Sequence, residues 1–253
     1  MIKIYIFSYR EDAEEALISA QCAAAALPEA VVTVVDDSAA PVPEPVRNAM
    51  ERAGIRYCQT GFQRNGNLRG PDCVRGIIST LAGGAEDGDI TVKIDSDTLL
   101  LSGDWIREME RNGLAFHASG YRTPQTPAER PVYGTCYAIS GREARRAANT
   151  LERCDIPPLA PEDLTIFQAV QSNAAPEDIH LDEPWTPFHR EGKWTAWNWF
   201  SIAAAPEKYA DFSVVTFGNP RPTNIPKSER PRAMEALFRY RFREGGVSSC
   251  CPV

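Results

Sequence analysis

ITVKIDSDTLLL, residues 90–101, decides the fold. Ile90, Val92 and Ile94 make a short, β-branched apolar run that breaks into Asp95, Ser96 and Asp97, which reads as a buried strand ending in two carboxylates one residue apart. Upstream the pattern repeats. IKIYIF at 2–7 and VVTVV at 31–35 are further buried strands, the second ending in Asp36, Asp37 and Ser38, and IRYC at 55–58 is a fourth, shorter one. Between them lie helical stripes. Ala13, Ala16, Leu17, Ala20, Ala24 and Leu27 recur at three- and four-residue steps, as do Val46, Ala49, Met50 and Ala53 after the Pro-rich stretch 41–45. Pro71 opens a third helix with Val74, Ile77, Ile78 and Leu81 on one face, stopped by Gly83 and Gly84. Four strands alternating with helices in a hundred residues predict an α/β fold, a mostly parallel central sheet with helices on both faces. Ligands bind such sheets beyond the carboxyl ends of the strands, so Asp36, Asp37, Asp95 and Asp97 are expected near one crevice.

The second half is less regular. VYGTCYAIS at 132–140 reads as a strand, with Ser140 and Glu143 as a capping box for a helix carrying Ala144, Ala147, Ala148 and Leu151. Pro161, Glu162 and Asp163 open another helix, with Leu164, Phe167 and Val170 inward. Residues 180–200 read as aromatic and loop-like, followed by a strand at 213–217 and a basic amphipathic helix around 230–242. No linker divides the 253 residues, so one domain is expected, with a regular half over about 1–100 and a less regular half over about 101–253.

Composition excludes several partner classes. The 27 basic and 34 acidic residues give a formal net charge of −7, against a broad nucleic-acid surface. The N-terminal apolar run is too short for a signal peptide core, and no stretch approaches the length of a membrane span. The seven cysteines form no C-x-x-C pair, so neither a zinc framework nor a disulfide scaffold is signalled, and a reducing cytoplasm is the expected compartment.

Two carboxylates just past a buried strand can aim oxygen ligands at one hard cation, Mn²⁺ or Mg²⁺, which bridges them to phosphate. With an acidic strand end at VVDDS about sixty residues earlier, the ordered set IFSYR (6–10), VVDDS (34–38), NGNLRGPDCVRGI (65–77) and KIDSDTLLL (93–101) resembles the GT-A glycosyltransferases, over roughly residues 1–145. The resemblance implies a GT-A type, Rossmann-like sandwich and a metal-dependent transfer from a nucleotide-sugar donor, a UDP-sugar first, to a glycan or other hydroxyl acceptor. It implies donor contacts from Ser8, Tyr9, Arg10, Asp36, Asp37, Arg69, Lys93, Asp95 and Ser96, and a metal held by Asp95 and Asp97. Glu162 and Asp163 fall where the family carries its acceptor-activating acid, with Asp163 favoured as base. Many members add a late histidine to the metal; only His117, His180 and His189 are present and Asn219 stands where that histidine is expected, so either His189 or Asn219 substitutes or the ion is held by two carboxylates, phosphate and water.

Trp185, Trp194, Trp197 and Trp199 crowd one segment; the first three are candidate acceptor-stacking rings, and filling the core is the alternative. Two other readings compete. A haloacid dehalogenase-like phosphohydrolase also uses D-x-D after a strand, but needs Thr where Leu99 stands. A catalytically inactive GT-A-like binding domain fits the missing histidine.

Overall fold

The computed structural model describes residues 1–8, 12–62, 64, 68–120, 132–182, 199–217 and 227–244. A seven-stranded sheet is built from β1 (Ile2–Phe7), β2 (Val31–Asp37), β3 (Arg56–Thr60), β4 (Ile90–Asp95), β6 (Phe116–Gly120), β7 (Val132–Ser140) and β8 (Ile179–Asp182) in the order β3-β2-β1-β4-β7-β6-β8. β1 to β4 run parallel; β7 is antiparallel to both its neighbours, so β6 and β8 point the same way as β4. A second sheet pairs β5 (Thr98–Leu100) with β9 (Val214–Thr216).

Alternation along the strands assigns the faces. Ile4, Ile6, Val34, Val92 and Ile94 are fully buried on one face, beneath α1 (Ala13–Ala26), α2 (Glu44–Arg52) and α4 (Asp104–Asn112). Phe7, Val35, Phe116, Tyr137 and Ile139 face the other way, into α3 (Pro71–Ala82), α5 (Gly141–Arg153) and α6 (Glu162–Gln171). Each fully buried aliphatic side chain contributes roughly 1.5–3 kcal/mol, which is what makes a one-residue slip of these strands prohibitive. A third cluster joins the outer side of α1, through Cys22, to β5, β9, α7 (Trp199–Ala204) and α8 (Arg230–Arg239).

The expected strand–helix alternation over the first hundred residues is present, with β3 two residues later at its C-terminal end than its sequence indicates. Three differences lie in the second half. Ile179–Asp182, read as the start of a loop, is a strand on the sheet edge. The expected capping box is half made: Ser140 accepts from the Glu143 amide at 3.3 Å, but the Glu143 carboxylate turns to Arg142 and Arg146 instead. The basic helix ends at Arg239 and continues as a π turn over Tyr240–Glu244.

Asp89 ties the start of the parallel sheet together, receiving Lys3 at 2.6 Å, the Glu86 amide at 2.9 Å and the N-terminal ammonium at 3.2 Å. Burial works to raise its pKa, but these donors outweigh it and draw the carboxyl down to about 2. A carboxyl lowered in the folded state stabilises above its unfolded pKa near 4 and loses that contribution as pH falls towards 2. Asp89→Asn is therefore expected to lower stability at pH 7 by about 1 kcal/mol, screened because the site lies just under the surface, and to flatten the stability slope between pH 4 and about 2 in urea titrations.

Candidate active site

Sheet order reverses between β1 and β4: β2 and β3 continue on one side of β1, while β4, β7, β6 and β8 lie on the other. Such a switch point leaves a crevice at the strands' carboxyl ends. Phe7 is in register with both Val35 and Asp95, so the acidic ends of β2 and β4 are level and two strand spacings, about 10 Å, apart. The loop after β4 is fixed from behind. Ser19 donates to the Thr98 carbonyl at 2.6 Å, Cys22 to that of Leu100 at 3.1 Å, and the Phe217 amide to that of Asp97 at 2.6 Å.

Lys93 is the centre of the site. Its side chain is 1% exposed, and its ammonium lies 2.6 Å from the Gly134 carbonyl, 2.6 Å from Glu162 Oε1 and 2.6 Å from Asp95 Oδ1. Tyr137 donates its phenol to Glu162 Oε2 at 3.0 Å. Burial pushes the Glu162 carboxyl up to about 7; Lys93 opposes the shift and the Asp163 and Asp95 charges add to it. Burial opposes the charge on Lys93, but Asp95 and Glu162 hold its pKa above the ordinary value. Asp163, half-buried beside Glu162, accepts from the Leu164 amide at 2.8 Å. It packs so closely on Gly134 that a Cβ there would sit 2.6 Å from the Asp163 carboxylate, so only glycine lets β7 pass.

Asp97 meets α8: Arg230 donates to its Oδ2 at 3.1 Å. Ser96 is buried and donates to Asp12 at 3.2 Å. Burial lifts Asp97 to about 7 against the pull of Arg230, with Asp95, Asp12 and Glu15 adding repulsion; burial lifts Asp95 as well, against Lys93. The internal cations therefore do not discharge the cluster. An all-carboxylate donor set whose charge is held back by burial fits a hard divalent cation, and Asp95 and Asp97 are the residues that could hold it.

At β2, Asp36 is wholly buried and acts within the fold: it accepts from the Asp37 amide at 2.8 Å, the Val42 amide at 2.7 Å, the Tyr57 phenol, and Ser8 at 3.5 Å. Asp37 accepts from the Ala39 amide at 3.0 Å. Ser8 is fully buried at the end of β1, its carbonyl held by Arg64. Arg64 also reaches the Val35 carbonyl at 3.0 Å and lies between the Phe7 and Phe62 rings, clamping the ends of β1 and β2. Arg69 forms a backbone bridge with Pro161, and the Glu162 amide donates to the Leu68 carbonyl at 3.2 Å, so the loop before α3 and the start of α6 converge. Gly70, at φ 89°, makes the turn from that bridge into α3.

No protein-family model and no curated protein matches the chain. Solved structures do. The galactosyltransferase LgtC in complex with donor and acceptor sugar analogs superposes with a TM-score of 0.56 at 14% identity, over 92% of this chain and 94% of that one. The fold is that of the GT-A glycosyltransferases. An active-site mutant of LgtC gives 0.55 at 13% identity, over 92% of this chain and 95% of that one. The glycosyltransferase GlyE of Streptococcus pneumoniae TIGR4 gives 0.54 at 6% identity, over 96% of this chain but 63% of its own. The GT-A arrangement therefore spans nearly the whole sequence, beyond the residues 1–145 whose motifs carry the resemblance.

Within this GT-A frame, Asp95, Asp97, Lys93, Glu162 and Asp163 come together, with Ser96 behind them. Asp36, Asp37, Ser8 and Arg69 stand at neighbouring strand and helix ends. Tyr9, Arg10, Trp185, His189, Trp194, Trp197 and Asn219 lie outside the described residues. Four contributors were missed: Asp12, Arg64, Tyr137 and Arg230. Arg230 is paired across 133 positions of sequence, and an arginine opening a basic helix carries no mark of it. Arg64 had a faint signal, a cation between aromatic and loop-forming residues.

Removing a buried ammonium strands two carboxylates. Lys93→Met is expected to lower the unfolding free energy by about 3–5 kcal/mol in urea denaturation. Adding Asp95→Asn and Glu162→Gln to it removes the stranded charges and should recover part of that loss.

Proposed function

We propose that the chain transfers a sugar from a nucleoside diphosphate donor to a hydroxyl acceptor, with a divalent cation, Mn²⁺ or Mg²⁺, as cofactor. The observation that carries the reading is the Asp95-Ser96-Asp97 tip at the switch point of a GT-A sheet, facing an α6 carboxylate pair. Asp95 and Asp97 would hold the ion, which when bound acts as a Lewis acid offsetting charge on the leaving diphosphate. The LgtC complex with donor and acceptor sugar analogs supports a donor and an acceptor subsite here. UDP-sugars are the first donors to try, with Asp37 accepting from the nucleoside and Arg69 donating to a phosphate or the sugar.

In an inverting transfer the bond from the anomeric carbon to the diphosphate oxygen breaks as the acceptor oxygen bonds that carbon. The acceptor proton goes to Asp163, which is better exposed than Glu162 and has no cation bound to it among the described residues. Lys93 acts through its partners: it positions Glu162 and Asp95 and touches no substrate. The free cysteines Cys22, Cys58, Cys73, Cys136 and Cys154 fit a reducing cytoplasm, and no helix of the described residues is long and apolar enough to cross a membrane.

A second reading, a GT-A domain that binds without turning over, is favoured by the pairing of each D-x-D carboxylate with an internal cation, Lys93 or Arg230. Release of nucleoside diphosphate from a panel of sugar nucleotides in Mn²⁺ separates the two. Asp97→Ala is expected to cut that release by about 100-fold or more while the thermal unfolding midpoint in chelator stays near wild type. Undiminished release at saturating Mn²⁺ overturns the assignment, and nucleotide binding with no release supports the second reading.

A further inference from the structure

His117 and His180 are direct cross-strand partners on β6 and β8, and Asp182 stands two residues beyond His180, on the same face. The two imidazoles meet edge to face with centroids 4.6 Å apart. Both Nε2 atoms turn to the one carboxylate: His117 Nε2 lies 2.9 Å from Asp182 Oδ2, and His180 Nε2 lies 2.9 Å from Oδ1. The three ligand-capable groups lie within 4.8 Å of one another. Around a tetrahedral zinc with bonds near 2.0–2.1 Å, adjacent donor atoms are separated by about 3.3 Å, so closing on an ion lengthens the two 2.9 Å contacts by about 0.4 Å and shifts no pair of donors by more than about 1.5 Å.

We propose that His117, His180 and Asp182 form a zinc site separate from the sugar-transfer centre. Two imidazoles and one carboxylate suit a borderline ion such as Zn²⁺ better than Mg²⁺ or Mn²⁺, which prefer oxygen throughout. Access and rigidity are divided between the ligands. His117 is 2% exposed and held edge-on by Trp105 at 5.2 Å between centroids, whereas His180 is 53% and Asp182 30% exposed. One ligand is therefore fixed in the core and two are partly exposed.

The site is remote from the D-x-D tip. Three strand spacings, about 14 Å, separate β8 from β4. The sheet also intervenes: His117 faces α4, while its neighbours Phe116 and Ala118 face the layer that contains Glu162. The bound ion would act as a clasp. β8 is a four-residue edge strand whose sheet partner is β6, and short edges are the least secure part of a sheet. An ion bridging His117 to His180 and Asp182 pins that edge through side chains as well as backbone.

The test uses the full chain, stripped with chelator and reloaded with ZnCl₂ alone. Bound metal after gel filtration is measured by atomic spectroscopy, beside the unfolding midpoint, for wild type, His180→Gln and Asp97→Asn. Wild type and Asp97→Asn are expected to retain about one zinc per chain and to gain about 3–10 °C. His180→Gln should lose both effects while matching wild type in chelator, since its side chain is half exposed. The proposal is overturned if wild type retains no zinc, if His180→Gln retains as much, or if zinc is lost in Asp97→Asn instead. The first of these outcomes would leave His117, Asp182 and His180 as a hydrogen-bonded network. None of them bears on sugar transfer, whose own test reads nucleotide release.

Discussion

The candidate active site depends on one buried ammonium. Lys93 projects from β4 into the layer between the sheet and α6, where an unpaired cation would be strongly disfavoured. Its proximity to Asp95, Glu162 and the Gly134 carbonyl answers that cost and in doing so joins three elements that are far apart in sequence. β4 supplies the Asp95-Ser96-Asp97 end, β7 the glycine that lets α6 approach, and α6 the carboxylates. The geometry of the crevice follows from the need to neutralise that charge.

A second electrostatic constraint runs the other way. Burial makes Asp95, Asp97 and Glu162 hold their protons more readily than usual, and the neighbouring carboxylates add to that shift against the pull of Lys93 and Arg230. A centre with that imbalance keeps charge that Lys93 and Arg230 do not offset. The fold alone does not specify such a centre; it lies in the few side chains grafted onto the ends of a common sheet.

Legibility in the sequence followed burial. IKIYIF, VVTVV and ITVKI are mostly apolar runs because parallel strands are covered on both faces, and each is a strand here. IHLD escaped notice because it is a half-exposed edge with polar residues at alternate positions. The D-x-D pair and the acidic start of α6 were visible as local patterns. Arg230, Arg64 and Asp12 were not, since each gains its meaning from a partner supplied by distant chain. The histidines illustrate the same limit: His117 and His180 are isolated letters until β6 and β8 pair.

The contact between α8 and the D-x-D tip bears on the order of biosynthesis. Asp97 emerges from the ribosome long before Arg230, and every strand of the seven-stranded sheet also precedes Arg230 in the chain. A nascent polypeptide can thus assemble its parallel core while the acidic loop beside it waits for its guanidinium partner. The Asp97 loop gains its ion pair only after Arg230 has been made, so a chain that stops short of α8 carries the sheet without that contact.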